Sequence, residues 1–129
     1  MIGFILVTHT RIGLEMMAAV EEILKEKTSL ISVGFDPSKP LVETEAQIRE
    51  AVGRLKDAEG IILLTDLYGS TPSNLCRKAI ANGKMEIVTG CNLPMVLKAA
   101  TGRFGGDIKE TARFLQEYGR EKIRTVDKG

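Results

Sequence analysis

Two uninterrupted apolar runs, Phe4-Ile5-Leu6-Val7 and Ile61-Ile62-Leu63-Leu64, constrain this chain more than any other feature. Neither alternates polar with apolar, so each reads as a strand covered on both faces, the kind found inside parallel sheets. Both end abruptly in chemistry-bearing residues. The first is followed by Thr8-His9-Thr10, the second by Thr65 and Asp66-Leu67-Tyr68-Gly69-Ser70-Thr71-Pro72. The carboxyl ends of strands are where open α/β sheets place their ligands and reactive groups. His9 is the only histidine in the chain, so any imidazole chemistry runs through it.

The intervening stretches read as helices. Met16, Met17, Val20, Ile23 and Leu24 follow helical spacing in a segment from about Gly13 to Lys27. Ile48, Val52 and Leu55 do the same between Leu41 and Asp57, with Gly53 weakening that helix near its end. Leu30 to Phe35 and Met85 to Thr89 read as further strands, and Gly60 to Thr65 frames the second apolar run. Pro72 suits the first turn of a helix with Thr71 as its N-cap, and Asn82-Gly83 suits its C-cap. A fourth helix follows Gly90-Cys91-Asn92-Leu93-Pro94, and Thr101 to Gly106 is a glycine-rich connection to a fifth, about Asp107 to Gly119. That connection is not a phosphate-binding P-loop, since the glycine-lysine-hydroxyl ending is missing and no strand precedes it. Ile123 to Val126 has strand character.

The order is therefore βαβαβαβα-α-β, an α/β domain spanning residues 1–129 with a doubly wound, mostly parallel sheet and helices on both faces. At strand order 2-1-3-4, strands one and three are neighbours, which brings His9 beside Asp66. A carboxylate on one imidazole nitrogen fixes the tautomer and leaves the other nitrogen nucleophilic. The helix start at Ser70-Thr71-Pro72 offers free N–H groups and a positive dipole end to a phosphate. Thr8, Thr10, Ser70 and Thr71 are candidate hydroxyl donors. Together these suggest a histidine that carries a phosphoryl group. Each piece has a structural alternative: His9 as an ordinary core or surface residue, Asp66 as a turn cap, Thr71-Pro72 as a helix start only. Arg11 is either a phosphate ligand or a solvated loop charge.

Composition excludes several other classes. A net charge of +1 with 27% charged residues gives no basic excess for nucleic acid. The apolar runs are far short of the roughly 20 residues that span a bilayer, and the N-terminus has no signal-peptide pattern. Cys76 and Cys91 have no metal or redox spacing and read as two buried thiols in a reducing cytoplasm. No metal or cofactor is expected.

Val7-Thr8-His9-Thr10, Asp66-Leu67-Tyr68-Gly69-Ser70-Thr71-Pro72-Ser73-Asn74 and Gly90-Cys91-Asn92-Leu93-Pro94-Met95 resemble, in order and spacing, three signature stretches of the mannose-family IIA component of the sugar phosphotransferase system. The resemblance implies that His9 accepts a phosphoryl group from the phosphocarrier HPr and passes it to a separate IIB protein for sugar uptake. It implies that Asp66 orients the ring, that Tyr68, Gly69, Ser70 and Thr71 line the phosphate site, and that Asn92 to Met95 lie near it. It also implies a cytoplasmic homodimer in which the C-terminal strand, here Ile123 to Val126, crosses to the partner's sheet. Two departures are visible: Ser70 stands where a second glycine is usual, and Arg11 where a small residue is frequent. Two related readings stay open, the phosphotransfer subunit serving dihydroxyacetone kinase and a regulatory phosphoprotein of the same fold. A plain nucleotide-binding domain is disfavoured by the missing glycine fingerprint.

Overall fold

The first apolar run lies in β1 (Ile2–His9) and the second in β3 (Gly60–Thr65), and the two pair in parallel with Val7 opposite Thr65. The structure is a computed structural model that describes residues 1–79 and 84–128. Around the central pair lie β2 (Ile31–Phe35) on the outer side of β1 and β4 (Met85–Val88) on the outer side of β3, giving the order 2-1-3-4 with all neighbours parallel. Helices α1 (Ile12–Leu24), α2 (Leu41–Arg54), α3 (Thr71–Ala79), α4 (Leu93–Thr101) and α5 (Ile108–Glu121) complete the chain.

Side chains alternate across a strand, so each buried strand feeds two cores. On one face Leu6, Ile62 and Leu64 pack with Val20 of α1, Val96 of α4 and Leu115 of α5. On the other, Ile5, Val7 and Leu63 pack with Ile48 of α2 and with Leu75 and Cys76 of α3. Every residue of β3 is buried, and each large aliphatic side chain so placed contributes about 1.5–3 kcal/mol. This two-sided burial is why the runs are unbroken. Met16 and Met17 fill gaps at the edge of the first core, and both cysteines are buried and free.

Several boundaries differ from the sequence expectation. β1 runs on to His9, because His9 stays paired with Phe35 of β2. β2 begins at Ile31, and β4 stops at Val88. α1 ends at Leu24, since Lys25 turns left-handed at φ +58°. α2 ends at Arg54, where the Leu55 N–H closes onto Val52 O. α5 continues to Glu121. The expected cap of α3 moves by one residue. Thr71 is already helical, and the Ser70 hydroxyl accepts from the Ser73 N–H (3.4 Å) while donating to Leu67 O (2.7 Å). Proline then sits at the second helical position, still within the turn that has no N–H to give up. The expected C-cap Asn82-Gly83 lies outside the described residues. In the single chain the expected final strand is not paired with the sheet. Residues 123–128 are irregular, with Ile123 76% and Val126 83% exposed. β-branched composition supplies no ladder partner; the Ile123 N–H bonds back to Arg120 O and Arg124 Nε to Glu121 O.

Where β1 gives way to α1, the backbone is tight. Thr10 adopts φ +46°, a region that β-branched residues rarely enter, and its N–H donates to Phe35 O at 2.8 Å. A Cβ on Gly34 would stand 2.2 Å from the Thr10 carbonyl oxygen, so only glycine fits there. Gly34→Ala is expected to lower stability by about 1–3 kcal/mol in urea denaturation. Gly53→Ala, in a helix with nothing within 4 Å of the added carbon, is expected to gain about 0.5–1 kcal/mol in the same assay.

Candidate active site

His9 is the last residue of β1, and Asp66 follows the last residue of β3. Their strands are adjacent, and the two residues meet through three contacts. His9 Nδ1 lies 3.0 Å from Asp66 Oδ2 and 3.2 Å from Oδ1, and the His9 backbone N–H donates to Oδ2 at 3.1 Å. One carboxylate therefore grips both the ring and the chain that carries it. With Nδ1–H donating to the carboxylate, the neutral ring presents the lone pair of Nε2. Asp66 is largely covered, while the imidazole is about one-third exposed. The nitrogen not held by Asp66 thus belongs to a ring that solvent and partners can reach.

A residue absent from the sequence expectation completes the setting of the ring. Phe35, at the end of β2, meets His9 edge to face, with centroids 6.2 Å apart and planes at 84°. Its signal was its place: strand order 2-1-3-4 puts the end of β2 beside the end of β1, and His9 pairs with Phe35. Acid on one side and aromatic on the other restrict the imidazole to one orientation.

The remaining candidates divide. Gly69 takes φ +74°, a left-handed turn that favours glycine and leads the chain into α3. Ser70 organises that turn, and its carbonyl also receives the Asn74 N–H at 2.9 Å. Thr71 starts the helix, so Asp66 and the first turn of α3 are separated only by Leu67, Tyr68, Gly69 and Ser70. Tyr68 is 83% exposed and Leu67 is also exposed, giving this loop an accessible apolar rim. Thr10 and Arg11 flank His9 on the other side, where they line an open apolar groove of about 500 Å³ with Ile12, Met16 and Leu93. The contact of Arg11 with Glu15, 3.5 Å between two exposed side chains, is weak.

Thr8 and Asn92 are occupied elsewhere. Thr8 is fully buried on the face opposite to that of Val7, and its hydroxyl accepts the Gly13 N–H at 2.8 Å, capping the first turn of α1. Asn92 Oδ1 accepts the Met95 N–H (3.1 Å) as the N-cap of α4, and its Nδ2 donates to Gly119 O of α5 (2.9 Å). Both polar atoms of Asn92 are therefore engaged in joining two helices. Cys91, one residue earlier, donates its backbone N–H to Thr65 O at 2.9 Å and so ties this turn to the strand end that precedes Asp66.

Solved structures of IIA proteins of sugar phosphotransferase systems share this parallel α/β fold. The mannose/sorbose specific IIA subunit from Enterococcus faecalis superposes with a TM-score of 0.89 at 26% identity, over 98% of this chain and 96% of that one. The PTS IIA protein associated with the fucose utilization operon of Streptococcus pneumoniae shares the fold, with a TM-score of 0.81 at 22% identity over 96% and 92% of the two chains. The PTS system fructose-specific EIIA component of Bacillus subtilis (strain 168) is 25% identical over 125 residues, covering 96% of this chain and 86% of its own length. Residues 3–116 match the EIIA-man family model, described as the PTS system fructose IIA component. The chain belongs to that family and is a phosphotransferase component. Among the described residues no helix is long and apolar enough to cross a membrane.

Asn92→Ala is expected to cost about 1–3 kcal/mol in thermal or urea unfolding, from a lost cap and an orphaned carbonyl. The thiols give a pH test. Burial pushes Cys76 up to about 12 and Cys91 likewise to about 12, the Asp66 charge adding at Cys91, against an ordinary value of 9.0. A raised value in the folded state means that the fold favours the neutral thiol. That contribution is complete below pH 9.0 and is lost as pH rises toward about 12. Native protein at pH 8 is expected to resist a thiol–disulfide reagent that labels both cysteines after unfolding, and urea midpoints are expected to fall above pH 9.

Proposed function

We propose that this chain is a phosphohistidine carrier in which His9 Nε2 accepts a phosphoryl group from HPr and hands it to a IIB component, serving sugar uptake and phosphorylation. The observation that carries this reading is the grip of Asp66 on His9 Nδ1 and on the His9 N–H. In the transfer, the P–N bond to the donor imidazole breaks and its electron pair returns to that ring, while the Nε2 lone pair forms a new P–N bond. His9 becomes a phosphorylated imidazolium. The Asp66 carboxylate, already on Nδ1–H, offsets the positive charge and needs no rearrangement to do so. Phosphoryl passage asks a protein mainly for alignment and charge stabilisation. Tyr68, Gly69, Ser70 and Thr71, with the positive end of α3, are the groups that would receive the phosphoryl oxygens. Arg11 and Thr10 border the same opening.

The exposed apolar residues around His9, among them Ile12, Leu14, Leu67 and Tyr68, suit two partners that must dock and leave in turn. The chain has little net charge, so complementarity to either is local. Residues 123–126, solvated in the single chain, fit addition to the open edge of β4 in a second copy, giving a homodimer. The relatives carry the labels fructose-specific and mannose/sorbose specific; a sugar of that group, taken up by membrane partners of a cytoplasmic carrier, fits this chain.

Incubation with phosphoenolpyruvate, enzyme I and HPr is expected to add one acid-labile phosphate, read by intact mass, and His9→Ala is expected to abolish it. Asp66→Asn is expected to fold but transfer roughly 10–100-fold more slowly, the loss of one charge-assisted hydrogen bond. Equal labelling of the His9→Ala protein would overturn the assignment.

A further inference from the structure

Among the described residues, one buried side-chain polar atom has no hydrogen-bond partner: the hydroxyl of Thr65. Thr65 is 0% exposed, and its place in the fold is specific. It is the last residue of β3, directly before Asp66, and it pairs with Val7 of β1. Alternation puts its side chain on the face of Ile61 and Leu63, the face that α3 covers through Leu75 and Cys76. The same alternation puts His9 on the face of Ile5 and Val7, two residues beyond the partner of Thr65. The unpaired hydroxyl therefore lies one side-chain layer below His9, beneath the helix whose first turn is the candidate phosphate cradle.

An unpaired hydroxyl at such a position is costly, and valine would fill the same space without the cost. The core on its face includes Val7, Leu63, Leu75 and Cys76, and the hydroxyl makes no hydrogen bond in the bare protein. What lies above it can change. The Leu67, Tyr68 and Gly69 loop is exposed, Gly69 has open space around it, and the Ser70 hydroxyl spans Leu67 and Ser73. A phosphoryl group on His9 would draw the N–H groups of this loop and of the first α3 turn toward it, and the carbonyls of the same peptides would turn the opposite way, toward the sheet.

We propose that Thr65 is a positioning residue that works through the state of His9: its hydroxyl is unpaired while His9 is bare and donates to a carbonyl oxygen of the Asp66–Thr71 segment once that segment has closed on the phosphoryl group. The pairing biases the carrier toward its charged form. The inference rests on His9 being the phosphoryl acceptor, and it adds a residue that touches neither the phosphoryl group nor the ring.

The test compares Thr65→Val and Thr65→Ser with the parent chain. Each is equilibrated with phosphorylated HPr at fixed ratios, the charged fraction is read by intact mass, and the bare forms are melted. The Thr65→Val protein is expected to melt higher than the parent, because it no longer buries an unpaired hydroxyl. Its equilibrium constant for charging is expected to fall by roughly 3–10-fold. Thr65→Ser, which keeps the hydroxyl, is expected to retain the parent's charging constant. An unchanged constant in Thr65→Val would overturn the proposal and leave an inert hydroxyl. An equal fall in Thr65→Ser would also overturn it, by pointing to the methyl group's packing. Failure of the parent chain itself to charge would instead overturn the reading of His9 on which the proposal stands.

Discussion

The parallel pairing of β1 with β3 is the constraint on which everything else here depends. With Val7 opposite Thr65, His9 at the last position of β1 and Asp66 directly after β3 come together. A slip of one residue would send His9 to the other face, because the side-chain period of a strand is two. The apolar runs prevent that slip. Ile5 and Val7 must enter one core while Leu6 enters the other, and the same holds for Leu63 against Ile62 and Leu64. Exchanging the faces would exchange two well-packed cores. The geometry of the candidate site is thus held by hydrophobic burial several residues away from it.

On that frame, local hydrogen bonds spend most of the polar groups near the site on structure. Thr8 caps α1, Ser70 caps α3, and Asn92 caps α4 while reaching α5. Three of the helices that start at the carboxyl end of the sheet are therefore anchored before any ligand arrives. Preorganisation of this kind suits phosphoryl passage between two imidazoles, where little covalent assistance is needed and misplacement is penalised. Asp66 is the exception, since its carboxylate is committed to His9 itself.

The apolar runs and the hydroxyl-imidazole ending of the first made the sheet and the His9–Asp66 meeting legible from the residues alone. Runs buried on both faces have few other solutions, and strand order follows from the short right-handed crossovers. Less could be read where two residues offered the same chemistry. Ser70 and Thr71 both bear a hydroxyl beside Pro72, and only the turn at Gly69 decides that Ser70 reaches Leu67 and Ser73. Asn92 was placed near the phosphate by resemblance, but its side chain joins two helices, a contact 27 residues away in sequence that no local pattern announces. Phe35 was hidden for the opposite reason. Its strand was recognised, but a phenylalanine at a strand end looks like core, and only the pairing with His9 gives it a second role. Ile123 and Val126 show the limit of propensity: strand-forming residues make a strand only beside an open edge, and the edge within reach of this tail is not paired with it in the single chain.

That open edge and the exposed tail bear on how two copies of this chain would pair. β4 is short, four residues, which blunts its tendency to pair with foreign strands. A tail from a second copy would satisfy both its own apolar residues and that edge, and the tail leaves α5 beside Asn92 and Arg120. The groove there, lined by Tyr68, Asn92, Gly119, Arg120 and Ile123, connects the two regions. Tyr68 belongs to the loop after Asp66 and Ile123 to the start of the tail, so a tail drawn away toward a partner uncovers one wall of the groove that the loop helps to form. The Tyr68 loop thus borders both the candidate site and the start of the tail, and the Asn92–Gly119 hydrogen bond ties α4 to α5 beside it.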